Sequence, residues 1–418
     1  MLFFYVIIIL VIIVKVFFKL ITIIILFTTM NVQALDIQSN NAILYQTNDN
    51  KLLFEKNAEE KVQIASLTKI MTAIVTLENI KDLNEKVVLK SEDFYGIASE
   101  NLVTAGFMAN EKVTYKDLLY GLLIPSGADA AKALARLVGG SEKEFVKKMN
   151  AKAEELKLTD THFGNEIGLD DKDNYSTAKD IASLFQYSLK NEDFKTIITT
   201  ESYTISNGRF TIKNNIRKNK IVGSYLLGGK TGTTDGAGLC LASIANIDDV
   251  NFLLVTLGAP YDKKGKHNFE DASTIYDYYK NNYSYQTIYD KNDVILTLKT
   301  KYIKKDEINF KASDKLEVYL PNNIDKNDIK YEYNGIEILT PNIKENQKLG
   351  TLSVYYKTEL LTKEKIILKE KLQFSLLKVI KTHKIISGFI TLFILFIIFI
   401  IIKRRKNKKR KQRKKRRL

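Results

Sequence analysis

The chain has 418 residues, enough for two or three domains and a large core. Its formal charge of +16 belongs to its end: residues 403–418 hold 13 Lys or Arg and no acid, leaving about +3 for everything before them, so the folded part lacks the basic excess that nucleic-acid binding requires. A single cysteine, Cys240, excludes an intrachain disulfide, and three scattered histidines (His162, His267, His383) give no metal cluster, so the chemistry is expected to need neither metal nor cofactor.

The N-terminus is apolar and interrupted by Lys15 and Lys19. From those lysines the chain reads as a charged start, an apolar run over 20–29 and a small-residue site, Val32-Gln33-Ala34, which together predict a secretory leader cut after Ala34. Residues 1–14 lack a positive start; translation beginning further along and a leader retained as an uncleaved anchor both stay open. Residues 42–47 and 52–56 then read as two strands joined by the Asn48-Asp49-Asn50 turn.

Behind Ser66, the residues Ile70, Ala73, Ile74 and Leu77 repeat at i, i+3, i+4 and i+7, so a helix buries one face and carries Ser66 in its first turn. Helices follow over 115–123, 128–138 and 142–156, and compact apolar strands over 225–233, 238–244 and 252–257. Strand hairpin, helices, then strands is the order of an α/β domain whose two ends share one antiparallel sheet packed by helices. Residues 285–372 hold short alternating segments at 294–299, 315–320 and 351–356, the pattern of a small all-β module.

Residues 385–402 are 18 in a row without a charge, about 27 Å of helix at roughly 1.5 Å per residue and enough to span a bilayer. A buried core helix would need a folded partner that a neighbouring block of 13 cations does not offer. The positive-inside bias puts the tail in the cytoplasm and the bulk of the chain outside. The expected organisation is therefore a leader over 1–34, a catalytic domain over 35–284, a β-rich domain over 285–372, a juxtamembrane segment and transmembrane helix over 373–402, and a basic cytoplasmic tail over 403–418.

Three short stretches carry the chemistry: Ser66-Leu67-Thr68-Lys69, Ser126-Gly127-Ala128 and Lys230-Thr231-Gly232-Thr233. A serine hydroxyl is a weak nucleophile until a base removes its proton, and a lysine three residues along a helix lies one turn away on the same face. A free lysine is charged at neutral pH, so Lys69 needs burial or a second cation to serve as that base; Lys230 is the candidate cation. Gly232 would let a substrate backbone lie against its strand, with Lys230, Thr231 and Thr233 holding a carboxylate. The Ser66 and Thr233 N–H groups are candidate oxyanion donors. Taken alone, each stretch is also explained by a helix cap, a loop or a strand end. Ser176 to Lys179 and Ser375 to Lys378 repeat the Ser-x-x-Lys spacing; the first reads as a helix start capped by Thr177 and Asp180, and the second adjoins the apolar helix.

In that order and context the stretches resemble the serine D-alanyl-D-alanine carboxypeptidases, the low-molecular-mass penicillin-binding proteins of peptidase family S11. The likeness runs over about 42–279 and rests on Ala65-Ser66-Leu67-Thr68-Lys69-Ile70-Met71-Thr72, Asn165-x-x-Gly168-Leu169, Tyr175-Ser176-Thr177-Ala178 and Gly228-Gly229-Lys230-Thr231-Gly232. The resemblance implies a DD-peptidase/serine β-lactamase-like fold in which Ser66 attacks the bond between two terminal D-alanines of a peptidoglycan stem peptide. It further implies Lys69 as base, Ser126 as proton relay to the leaving amine, Lys230, Thr231 and Thr233 around the terminal carboxylate, and β-lactams as inhibitors that acylate Ser66. The sequence departs from the family in two places. Ala128 stands where an asparagine is usual, and Lys263, Lys264, Lys266 and His267 stand where an arginine is usual. Two alternatives remain: a class A-like β-lactamase, for which Glu166 would activate water, and a catalytically weak wall-binding protein, suggested by Ala128.

Overall fold

The computed structural model describes residues 35–217, 219–263 and 265–415. The expected leader lies outside them. Contacts divide the chain into one unit ending at Asn281 and a second running from Asn282 to Leu418.

The first unit opens with strands β1 (Asn41–Gln46) and β2 (Lys51–Lys56), joined through Asn50, whose φ of 53° is the left-handed value that asparagine tolerates in a tight turn. Helices follow: α1 (Thr68–Asn79), α2 (Tyr115–Leu123), α3 (Ala128–Gly139), α4 (Glu142–Glu155), α5 (Ala178–Ser188) and α6 (Glu192–Thr199). Strands β3 (Leu226–Thr234), β4 (Gly238–Ile247) and β5 (Val250–Ala259) come next, then helix α7 (His267–Asn282). The five strands form one antiparallel sheet in the order β2-β1-β5-β4-β3, so both ends of the segment do share a sheet and β3 is left at its edge.

Local chemistry accounts for the boundaries. Thr114 caps α2 through a reciprocal box: its hydroxyl accepts from Asp117 N at 3.0 Å, and the Asp117 carboxylate accepts from Thr114 N at 2.7 Å. Helix α3 ends at Gly140, whose φ of 78° a side chain would oppose. The apolar stripe of α1 supplies Ile70, Met71 and Ile74 to a core shared with Leu118 and Leu122 of α2 and Leu134 of α3. Strands β4 and β5 are almost wholly buried, as expected of central strands covered on both faces. From α7, the Tyr276 hydroxyl meets Ser243 Oγ of β4 at 2.9 Å, and the Phe252 ring of β5 lies 6.2 Å away edge-on.

The second unit holds three small sheets: Tyr283–Tyr289 with Leu316–Pro321; Val294–Thr300 between Glu307–Lys311 and Ile338–Leu339; and Lys348–Tyr356 between Ile329–Gly335 and Glu359–Ile367. Ile295, Leu298, Ile308, Phe310, Leu352, Val354 and Ile366 form its core. A short helix, Leu376–Thr382, precedes the helix Lys384–Lys415, in which Ser387–Lys409 is long and apolar enough to cross a membrane and is covered by none of the described residues.

Candidate active site

Ser66 sits in a 3-10 turn, Ala65–Leu67, immediately ahead of α1 rather than inside its first α-helical turn. Ala65 adopts φ 47°, a left-handed conformation that costs a non-glycine residue on the order of 1 kcal/mol and therefore needs external support. Two glycines supply it by closing on the turn from the strand and the loop beside it. A side chain on Gly232 would lie 2.9 Å from Ser66 N and 3.0 Å from Ala65 Cβ; one on Gly168, at φ 90°, would strike the Ala65 carbonyl. The missing side chain of Gly232 thus makes room for the nucleophile turn, a role the sequence reading had not assigned it.

Lys69 lies in the first turn of α1, almost fully buried at 1% exposure. Its Nζ donates to Ser66 Oγ at 3.0 Å and to the Ile167 carbonyl at 2.6 Å. That carbonyl is presented by the 165–169 turn, which the Asn165 side chain organises: Oδ1 accepts from Gly168 N at 2.6 Å and from Leu169 N at 2.9 Å. Burial pushes the Lys69 ammonium down to about 7, against the opposing attraction of Glu166 and Asp129. Burial, rather than a second cation, is the main cause.

Ser126 precedes α3 with φ 69°, another left-handed non-glycine residue. Gly127 N bonds the Gly121 carbonyl at 2.9 Å and Ala128 N the Val103 carbonyl at 2.8 Å. Asp129, fully buried, accepts from Ala105 N, Gly106 N and Phe107 N at 2.8, 3.1 and 3.1 Å. Across from this loop, Lys230 of β3 donates to Ser126 Oγ at 2.9 Å and to the Thr231 carbonyl at 2.7 Å. Burial first, and the neighbouring Lys69 second, hold the Lys230 ammonium well below its ordinary value.

Strand alternation sends Lys230 and Gly232 to the buried face of β3 and leaves Thr231 half-buried and Thr233 exposed. Among the described residues β3 pairs with β4 alone, which leaves its outer edge free of a neighbouring strand. Asp170 anchors the end of that strand, accepting from Thr234 Oγ1 at 2.5 Å and Gly236 N at 2.9 Å. Of the seven expected site residues, Ser66 meets Lys69, Ser126 meets Lys230 and Gly232 lies against the Ser66 turn, while Thr231 and Thr233 sit on the same strand without a side-chain partner among the described residues.

Several residues of the site were not anticipated. Ile167 contributes a backbone carbonyl, for which no residue type is a signal. Asp129, in the first turn of α3, and Asn165, singled out in the sequence only as part of a motif, fix loops through backbone N–H groups, roles that a polar residue in a first helical turn or in a loop turn does hint at. Ala128 is buried at the start of α3 and brings no amide to Lys69. Of the basic cluster after β5, His267 is committed to Asp262 and Glu270 at 3.0 and 2.9 Å, while Lys263 and Lys266 are exposed and Lys264 lies outside the described residues. The duplicate spacings are helix starts: Ser176 is buried against Thr161 Oγ1 at 2.7 Å while Lys179 bonds Glu59, and Ser375 caps Lys378 N at 3.4 Å.

Residues 28–261 match the D-alanyl-D-alanine carboxypeptidase family, peptidase S11, and residues 283–373 match the penicillin-binding protein 5 C-terminal domain. The D-alanyl-D-alanine carboxypeptidase DacF of Bacillus subtilis is 31% identical over 341 residues, covering 80% of this chain and 86% of that protein. DacC of Escherichia coli is 35% identical over 244 residues, 56% of this chain and 59% of that protein. Among solved structures, the Streptomyces K15 DD-transpeptidase aligns with a TM-score of 0.53 at 30% identity over 58% of this chain and 97% of its own. The Francisella tularensis carboxypeptidase DacD shares the fold across 81% of this chain and 95% of its own, with a TM-score of 0.63 at 20% identity.

Proposed function

The chain belongs to the D-alanyl-D-alanine carboxypeptidase family of penicillin-binding proteins, peptidase S11, and from that premise we propose a residue-level mechanism for its hydrolysis of peptidoglycan stem peptides. The family excludes the class A β-lactamase alternative. Ser66 Oγ attacks the carbonyl between the two terminal D-alanines while the neutral Lys69 amine, 3.0 Å away, takes the hydroxyl proton. The Ser66 and Thr233 N–H groups hold the developing oxyanion. Ser126 passes a proton to the leaving amine, D-alanine departs, and water hydrolyses the acyl ester with Lys69 again as base. The substrate backbone lies along the open edge of β3, and Lys230, Thr231 and Thr233 hold its terminal carboxylate. A β-lactam occupies the same place and acylates Ser66.

The observation that carries this reading is a pair of buried lysines, each within hydrogen-bond reach of a serine hydroxyl: Lys69 on Ser66 at 3.0 Å and Lys230 on Ser126 at 2.9 Å. The apolar helix then anchors the protein in the cell membrane as a single C-terminal span, with the basic tail cytoplasmic and the catalytic domain on the wall side. The test is labelling with a fluorescent penicillin alongside D-alanine release from a pentapeptide. Wild type is expected to do both and Ser66→Ala neither. Lys69→Ala should lose D-alanine release by a factor on the order of 100 to 10,000 or more. Equal labelling of Ser66→Ala would overturn the nucleophile; labelling without D-alanine release would favour the weak wall-binding alternative that Ala128 suggests.

A further inference from the structure

In the second unit, two sheets end on one groove. The strand Glu307–Lys311 is the outer strand of one sheet and Glu359–Ile367 the outer strand of another, and among the described residues neither has a neighbouring strand on its free side. A cavity of about 640 Å³ lies between them, lined by the consecutive residues 308–313 and 364–370. A sheet face would contribute every second residue to such a lining, so the walls are strand edges. Backbone direction agrees. Ala312 N donates to the Asp293 carbonyl at 2.9 Å and Leu368 N to the Gln347 carbonyl at 3.1 Å, each toward the strand already paired on that side. Neighbouring residues of a strand turn their N–H and C=O to opposite sides, so Lys311 and Ile367 present theirs to the cavity side. The same alternation sorts the side chains. Ile308, Phe310, Ile366 and Leu368 are buried and floor the cavity, whereas Lys311, Lys365, Ile367 and Lys369 are exposed along its rim. Among the described residues none of these three lysines is paired with an acid, while the cavity's own acids are engaged: Glu364 accepts from the Tyr289 hydroxyl at 2.8 Å and Glu370 from Lys305 Nζ at 2.6 Å.

We propose that this groove binds an extended acidic peptide of a partner protein as an added strand, one in which apolar side chains alternate with Asp or Glu. The peptide backbone pairs with an open edge, its apolar side chains continue the face of Ile366 and Leu368, and its carboxylates fall beside Lys311, Lys365 and Lys369 on the other face. Charge selects the occupant. A second copy of this chain would bring the same lysines to the contact, and lysines on an edge are what keeps like strands from pairing. A polyanion without a peptide backbone would answer the lysines but neither the apolar floor nor the N–H groups of the edges.

The test is fluorescence anisotropy of a labelled octapeptide of alternating valine and glutamate, with the full chain in detergent at about 0.15 M salt and thermal melting as a check of folding. Two changes should each weaken binding by about fivefold or more. One is Lys311→Glu together with Lys365→Glu, which turns attractive cross-strand charges into repulsive ones. The other is N-methylation of every second peptide residue, on the valines in one peptide and on the glutamates in a second, which removes the donors to an edge in at least one of the two. The basic tail also attracts an acidic peptide, but it responds neither to residues 311 and 365 nor to backbone methylation, so only the groove gives both losses. A loss below about fivefold in either arm, or no binding up to about 1 mM, overturns the proposal. Two outcomes overturn it by naming another occupant. Charge-sensitive binding that ignores methylation and is displaced by inorganic polyphosphate assigns the groove to a polyanion, and a dimer that the charge variant dissociates assigns it to a second copy. If the charge variant does not fold, the methylated peptides on the wild-type chain decide alone.

Discussion

At the scale of single residues, the site is built from groups held where they would not sit by choice. Ser126 keeps φ 69° and places its hydroxyl 2.9 Å from Lys230 Nζ. Replacing it with glycine removes both the hydroxyl and the strain; replacing it with alanine removes the hydroxyl alone. Both variants should lose D-alanine release by about 100-fold or more if the hydroxyl relays a proton, yet Ser126→Gly should be the more stable of the two by about 1 kcal/mol. Melting curves set beside turnover separate the two effects; equal stability would mean the turn is unstrained. Lys69 gives a second expectation at this scale. Because burial brings it down to about 7, acylation by wild type should rise through neutral pH as the ammonium loses its proton and fall on acidification below it. A profile flat from about pH 5 to 9 would deny Lys69 the role of base. The side chains with chemistry were legible in the sequence because serine and lysine at fixed spacings have few other reasons to recur in that order. The Ile167 carbonyl was not, since a backbone acceptor has no residue signature.

At the scale of elements, the nucleophile turn is a wedge between β3 and the 165–169 turn, and it has room because two glycines face it. Gly232→Ala would put a Cβ 2.9 Å from Ser66 N, displacing the N–H assigned to the oxyanion hole. Acylation should fall by roughly 100- to 1,000-fold while the sheet still forms. Gly168→Ala adds backbone strain at φ 90° to a collision with the Ala65 carbonyl, so it should cost stability as well, about 2 kcal/mol or more. A protein that acylates normally with alanine at position 232 would refute the wedge. Helices α1 to α5 were readable from apolar periodicity and caps, and the central strands from their continuous apolar runs, whereas the eight-residue α6 was too short to stand out. Helix α7 carried the same signal in Ala272, Ile275, Tyr276 and Tyr279, spaced i, i+3, i+4 and i+7, but its Asn, Asp and Tyr content obscured it. The left-handed Ala65 that ends the approach to Ser66 had no signal at all: alanine favours ordinary helix, and only the closed packing of Gly168 and Gly232 holds it otherwise.

At the scale of the whole molecule, most of the net positive charge lies at the end of the chain, next to an exposed apolar stretch. Within Ser387–Lys409 the uncharged residues up to Ile402 expose their apolar side chains along a length fit for a bilayer, and the cations that raise the chain to +16 begin at Lys403. An isolated apolar helix next to such a block is stable in water only if something covers it, and nothing among the described residues does. Truncation before Leu376 should therefore convert a membrane-bound penicillin-labelled protein into a soluble one while leaving Ser66 acylation within about twofold, because Ser66, Lys69, Ser126 and Lys230 all belong to the first unit. The orientation has its own readout. Protease added to the wall side of intact cells stripped of wall should remove the labelled domain and leave a tail epitope protected, as the positive-inside bias requires of 13 cations in 16 residues. A tail that is cut while the labelled domain survives would invert the topology, and with it the assignment of Ser66 to the compartment where cross-linked wall peptides are found. A labelled protein that stays in the membrane after truncation would instead move the anchor to residues 1–34, where the apolar leader offers the other stretch of the chain suited to that task.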